Sequence, residues 1–111
     1  MRIDVVGKHM EVTPAIREYA ENKANKLPKF FQGVQLITVR LEAKTHKAGQ
    51  EFHCEVIVDV VKHDDFVSHA SGSDLYGCID LAMQKSERQL HDFKERLKEH
   101  RGQTPAGGPT P

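Results

Sequence analysis

Two stretches of alternating side chains, VQLITVRLEAK at 34–44 and QEFHCEVIVDVV at 50–61, lie on either side of a short polar turn, HKAG. In the first, Ile37, Val39, Leu41 and Ala43 fall on one side and Leu36, Thr38, Arg40 and Glu42 on the other. In the second, Phe52, Cys54, Val56, Val58 and Val60 oppose His53, Glu55, Ile57 and Asp59. Side chains alternate across a strand, so each stretch predicts a strand that is apolar on one face and wet on the other. Such a sheet needs a cover for its apolar face, and a chain of 111 residues has to supply that cover within one domain.

The rest of the chain offers that cover. Thr13 before Pro14 is a favourable helix start, because the hydroxyl can cap and proline at the first helical position loses no hydrogen bond. Ile16, Ala20, Ala24 and Leu27 then share one helical face, and Pro28 ends the helix or lies just beyond it. A longer helix, capped by Ser73 or Asp74, runs to about His100 with a seam of Leu75, Ile79, Met83, Ser86, Leu90, Phe93 and Leu97. RIDVVG at 2–7 predicts a short first strand. FVSHAS at 66–71, after the polar turn KHDD, predicts a last one, antiparallel to its predecessor. The expected fold is α+β, a two-layer β-α-β-β-β-α arrangement with a four-stranded sheet and two helices packed against it. Residues 1–101 form the domain. GQTPAGGPTP at 102–111 has too little apolar content to fold and predicts a disordered tail.

Several function classes lack support. There is no glycine-rich phosphate loop, nucleophile elbow or zinc-type Cys/His spacing, so neither an enzyme, a metal nor a cofactor is expected. The seven histidines are scattered over loops and outward strand positions, and HDD at 63–65 reads as a polar turn. Cys54 and Cys78 read as buried thiols rather than a disulfide framework. No membrane-length apolar run or signal-peptide pattern occurs, so a cytoplasmic protein with no membrane partner is expected.

Formal net charge is zero, yet the charge is sorted by segment. Residues 14–31 and 84–101 hold ten Lys/Arg against six Asp/Glu, and the remainder holds six against ten. Lys23 and Lys26 lie three apart on the first helix with Lys29 just after it. Lys85 and Arg88 lie three apart on the second, extended by Lys94, Arg96, Lys98 and Arg101. If both helices share a sheet face, these cations line two ridges suited to phosphates along an RNA backbone. The same spacing also fits a solvated helix face, a module that docks an acidic protein, or a general double-stranded RNA-binding domain.

HMEVTPAIREYAENKANKL, SDLYGCIDLAMQKSERQL and KERLKEHR resemble the ribosome hibernation-promoting factor family, which includes the ribosome-associated inhibitor. The resemblance spans about residues 1–101, and its most specific part is the D-[ML]-Y-x-x-I-D start followed by K-x-x-R-Q-L. It implies a β-α-β-β-β-α fold with both helices on one sheet face. It also implies binding to the small ribosomal subunit, where such proteins cover the messenger and transfer RNA sites and silence ribosomes in starvation or stationary phase. The rRNA-facing positions it implies are Lys23, Lys26, Lys85, Arg88 and Lys94, with Arg96 and Lys98 added and Lys29 alongside. Tyr76 and Asp80 match the motif and are expected to serve helix entry and packing. The tail matches a short form, and the isolated protein is expected to be a monomer.

Departures from that family pattern are Asp92 where lysine is common and Ser86 where leucine is common, with Glu95 and Glu99 thinning the charge further. Ser86 on the seam is expected either to bond a backbone carbonyl one turn back or to sit beside a small void. Ser86→Leu would then stabilise the fold by roughly 1 kcal/mol if the seam has room, and destabilise it by a similar amount if the seam is overpacked. Asp92, one turn after Arg88, is positioned to pair with it.

Overall fold

A computed structural model describes the backbone of residues 1–102 and the side chains of residues 1–98; the remainder of the expected tail, 103–111, lies outside the described residues. Four strands form one sheet in sequence order: β1 (Arg2–Lys8), β2 (Val34–His46), β3 (Gly49–Val60) and β4 (Phe66–Gly72). The three later strands form the expected antiparallel meander. β1 joins its edge parallel to β2, a geometry that requires the crossover supplied by helix α1 (Pro14–Ala24). Helix α2 (Leu75–Gly102) follows β4. One core cluster unites Ala20 and Ala24 of α1, Ile79 and Leu90 of α2, and Ile37, Val39, Val56 and Val58 of the sheet, so both helices cover the same face.

Local chemistry sets the element ends. Thr13 Oγ1 accepts from the Ile16 N–H at 3.2 Å, the expected cap. α1 stops at Ala24, earlier than a face including Leu27 suggests. Pro28 has no N–H to give the Ala24 carbonyl four residues back, and its ring would clash there. Leu27 is nevertheless fully buried, carried inward by a separate 3-10 turn, Leu27–Lys29. Asp74 is the residue that opens α2, its carbonyl accepting the Cys78 N–H at 3.0 Å. At the start of β2 a register shift between Val34 and Leu36 lets both Val34 and Ile37 point into the core, an inward residue that simple alternation misses.

α2 outruns the sheet. Its seam is buried through Leu90, and Phe93 is held at the sheet's end by Phe31 and Phe66, with ring centroids 5.2 and 5.3 Å away. Leu97, expected on the seam, is 39% exposed because no strand lies beneath it.

Ser86 faces the core with no exposed surface. Its Oγ lies 2.7 Å from Ser68 Oγ on β4, and Ser68 in turn donates to the Ala82 carbonyl at 2.9 Å. The Ser86 hydroxyl thus bonds a serine of the neighbouring strand rather than the carbonyl one turn back, which Ser68 reaches instead.

Candidate nucleic-acid interface

The cations of α2 do not form one stripe. Lys85 and Arg88 stand on the flank toward β4, one of the two edge strands of the sheet, and border an open groove with Val67, His69, Gln89 and Asp92. Two side chains one turn apart cover that edge: Lys85 Nζ donates to the His69 carbonyl at 2.7 Å, and Gln89 Nε2 to the Val67 carbonyl at 3.0 Å. Unpaired strand-edge groups are thereby satisfied, and the Lys85 ammonium is fixed at the groove wall. Arg88 Nε meets Asp92 Oδ2 at 4.0 Å, the pairing expected from sequence, with side chains 86% and 58% exposed. So loose a pair leaves the guanidinium free to exchange partners. Gln89 Oε1 is buried and has no hydrogen-bond partner among the described residues.

The opposite flank of α2 meets α1. Tyr19 O–H donates to Asp80 Oδ1 at 2.6 Å, its ring packs edge-on against Tyr76 at 4.8 Å, and Lys23 Nζ reaches the same Asp80 oxygen at 3.4 Å. Tyr76 and Asp80 thus hold the two helices together. Lys94 and Lys98 follow Tyr76 and Asp80 by eighteen residues each, five full turns, and so share their bearing. Arg96, eleven residues after Lys85, returns to within about 20° of it. The expected double row therefore resolves into two bands. Lys85 and Arg88 border the β4 groove, with Arg96 on the same bearing farther along the helix, and Lys94 and Lys98 share the α1-facing bearing of Tyr76 and Asp80. Lys26 and Lys29 are exposed just past the end of α1. Lys23 is partly neutralised by Asp80, which weakens it as a phosphate contact.

The hydrogen bond to Asp80, with desolvation second, pushes the Tyr19 phenol up to about 12. An unfolded tyrosine ionises near ~10. The contact therefore adds its full stability below about pH 10 and loses it as pH rises through the folded value. Asp80→Asn is expected to bring the Tyr19 titration back toward the ordinary range, read from its ring-proton resonances; an unshifted titration would contradict the assignment. Burial likewise pushes the Cys54 thiol up to about 12, which fits an inert core residue.

Among the described residues no group of three or more His, Cys, Asp or Glu side chains is placed to hold a metal ion, and no helix is long and apolar enough to cross a membrane. The profile of the family described as sigma 54 modulation protein / S30EA ribosomal protein matches residues 3–98.

The chain belongs to this family. It is 31% identical to the ribosome hibernation promoting factor of Klebsiella oxytoca over 102 residues, covering 90% of this chain and all of that protein. Identity to the protein of the same name from Azotobacter vinelandii is 30%, with both chains covered in full. The crystal structure of the N-terminal domain of Thermus thermophilus Protein Y superposes with a TM-score of 0.71 at 29% identity, covering 84% of this chain and 99% of that one. The β-α-β-β-β-α fold expected from the resemblance is the family fold found here.

Two residues of this surface escaped the sequence. Tyr19 reads as an ordinary helix residue, although its position four before Lys23 placed it on that lysine's face. Gln89 sits inside the K-x-x-R-Q-L motif, but only the β4 edge shows why an amide is needed there.

Proposed function

We propose that this protein is a ribosome hibernation factor that binds the small ribosomal subunit. It occupies the channel for messenger and transfer RNA and stores ribosomes inactive under stress or in stationary phase. It acts by occupancy in the cytoplasm, with no catalytic step, and contacts 16S-type rRNA through Lys23, Lys26, Lys29, Lys85, Arg88, Lys94, Arg96 and Lys98. The observation that carries this reading is the pairing of Lys85 and Arg88 along the covered β4 edge, where two cations border an open groove. The names of the relatives support a ribosomal partner.

Pelleting with purified small subunits, large subunits and duplex RNA tests the partner. Selective recovery with small subunits, weakening steeply with salt as counterions are released, is expected. Equal binding to any duplex RNA would indicate a general RNA-binding domain, and salt-insensitive binding would contradict phosphate recognition.

Asp92 tunes the same groove. Asp92→Lys removes the loose partner of Arg88 and adds a cation, so affinity for the small subunit should rise and the salt dependence should steepen by about one counterion. Stability should stay within about 0.5 kcal/mol. An unchanged affinity and slope would remove the groove beyond Arg88 from the interface.

A further inference from the structure

Strand register brings together two histidines that sequence spacing keeps apart. His53 on β3 lies opposite Ser71, and His69 on β4 lies opposite Glu55, which sets the imidazoles on a diagonal of the helix-free sheet face. The ring centroids are 5.3 Å apart, and His53 Nε2 lies 3.2 Å from His69 Nδ1. The outer nitrogen of each ring has a partner of its own. His53 Nδ1 is 2.7 Å from Ser71 Oγ, and His69 Nε2 is 3.7 Å from Glu55 Oε2. An ionised carboxylate only accepts, so Glu55 favours the proton on His69 Nε2 and leaves the Nδ1 lone pair facing His53. Where Ser71 Oγ accepts the Nδ1 proton of His53, a second lone pair turns into the same gap; where it donates, the His53 Nε2 proton bridges the two rings. The gap therefore holds a proton or, in the first arrangement, has room for a metal ion.

We propose that His53 and His69 form a binding site for a late transition-metal dication, copper(II), nickel(II) or zinc(II), ligated by His53 Nε2 and His69 Nδ1 with solvent completing the shell. Imidazole suits these ions. Two nitrogens ~2.0–2.1 Å from one ion and 3.2 Å from each other subtend about 100° at the metal, close to the angles of tetrahedral and square-based shells. Ser71 and Glu55 are the outer partners that fix each ring's tautomer. Of the nearby cations, Arg40 is matched by Glu55 at 3.4 Å and Lys8 by Glu42 at 4.0 Å, while the Lys85 ammonium is held on the His69 backbone carbonyl at 2.7 Å. With only two protein ligands the site is open and exchangeable, unlike a closed structural zinc site. It lies on the face away from the helices and does not depend on ribosome binding.

Titration of the full chain with zinc(II), followed by histidine-ring NMR, tests the site directly. One equivalent should shift His53 and His69 together and leave His9, His46, His63 and His91 in place. His53→Ala and His69→Ala should each weaken binding at least tenfold, and the double variant should be no worse than either alone. Ser71→Ala, which keeps both ligands, should weaken it by about tenfold. His46→Ala should leave binding unchanged. All four positions are on the solvent face, so metal-free thermal melts of the variants should match the parent. Shifts spread evenly over the histidines, or affinity preserved in His53→Ala, would overturn the proposal.

Discussion

Replacing Ser86 with leucine is expected to lower the stability of the fold by about 2–3 kcal/mol, from overpacking and a lost buried hydrogen bond. The residue has no exposed surface and shares its hydrogen bond with Ser68, itself 3% exposed. A leucine there would press its extra methyl groups against a strand serine that has no other place to go. Ser68 would keep its bond to the Ala82 carbonyl but lose the hydroxyl on its other side. Ser86→Ala, which removes the hydroxyl without adding volume, should cost about 1 kcal/mol. Ser68→Ala combined with Ser86→Leu should recover part of the loss, because the two sites touch and their effects are not additive. Urea unfolding of the three variants measures this. A Ser86→Leu protein more stable than the parent would show that the helix shifts to make room.

Reversing both groove cations, Lys85→Glu with Arg88→Glu, is expected to weaken binding to the small subunit by at least ~100-fold, taking charged hydrogen bonds at about 1.5 kcal/mol or more each. The slope of log affinity against log salt should fall by about two counterions. The two changes differ in their effect on the fold. Arg88 is 86% exposed and bonds no backbone group, so its reversal should leave the thermal melt unchanged. Lys85 donates to an edge-strand carbonyl, and its reversal should lower stability by about 1 kcal/mol. Equilibrium binding of Arg88→Glu alone thus separates the interface from the fold. Parent-like binding by the double variant would move the interface off the β4 groove.

Much of this architecture was legible in the sequence because period-two and helical patterns point to faces directly. The hairpin of β2 and β3, the Thr13 cap and the seam from Leu75 to Leu90 follow from local rules alone. Features that depend on which elements become neighbours were hidden. Nothing local says that β1 joins parallel to β2, or that a bulge lets Val34 point inward. Ser86 was recognisable as facing the core, but its partner is eighteen residues away on β4. The candidate interface divides in the same way. Its cations could be named from spacing, yet their separation into a β4 band and an α1 band needed the bearing of α2 over the sheet. The Tyr19–Asp80 bond, spanning sixty-one residues, and the diagonal of His53 and His69 likewise come from tertiary register.

Occupancy of the channel, as proposed, requires this protein to compete with the ribosome's RNA substrates for one place. Sedimentation of the protein with vacant small subunits, and with subunits first loaded with messenger RNA and initiator transfer RNA, tests it most directly. The protein should travel with vacant subunits and stay at the top of the gradient when the channel is filled. Equal co-migration with vacant and loaded subunits would contradict occupancy of the channel.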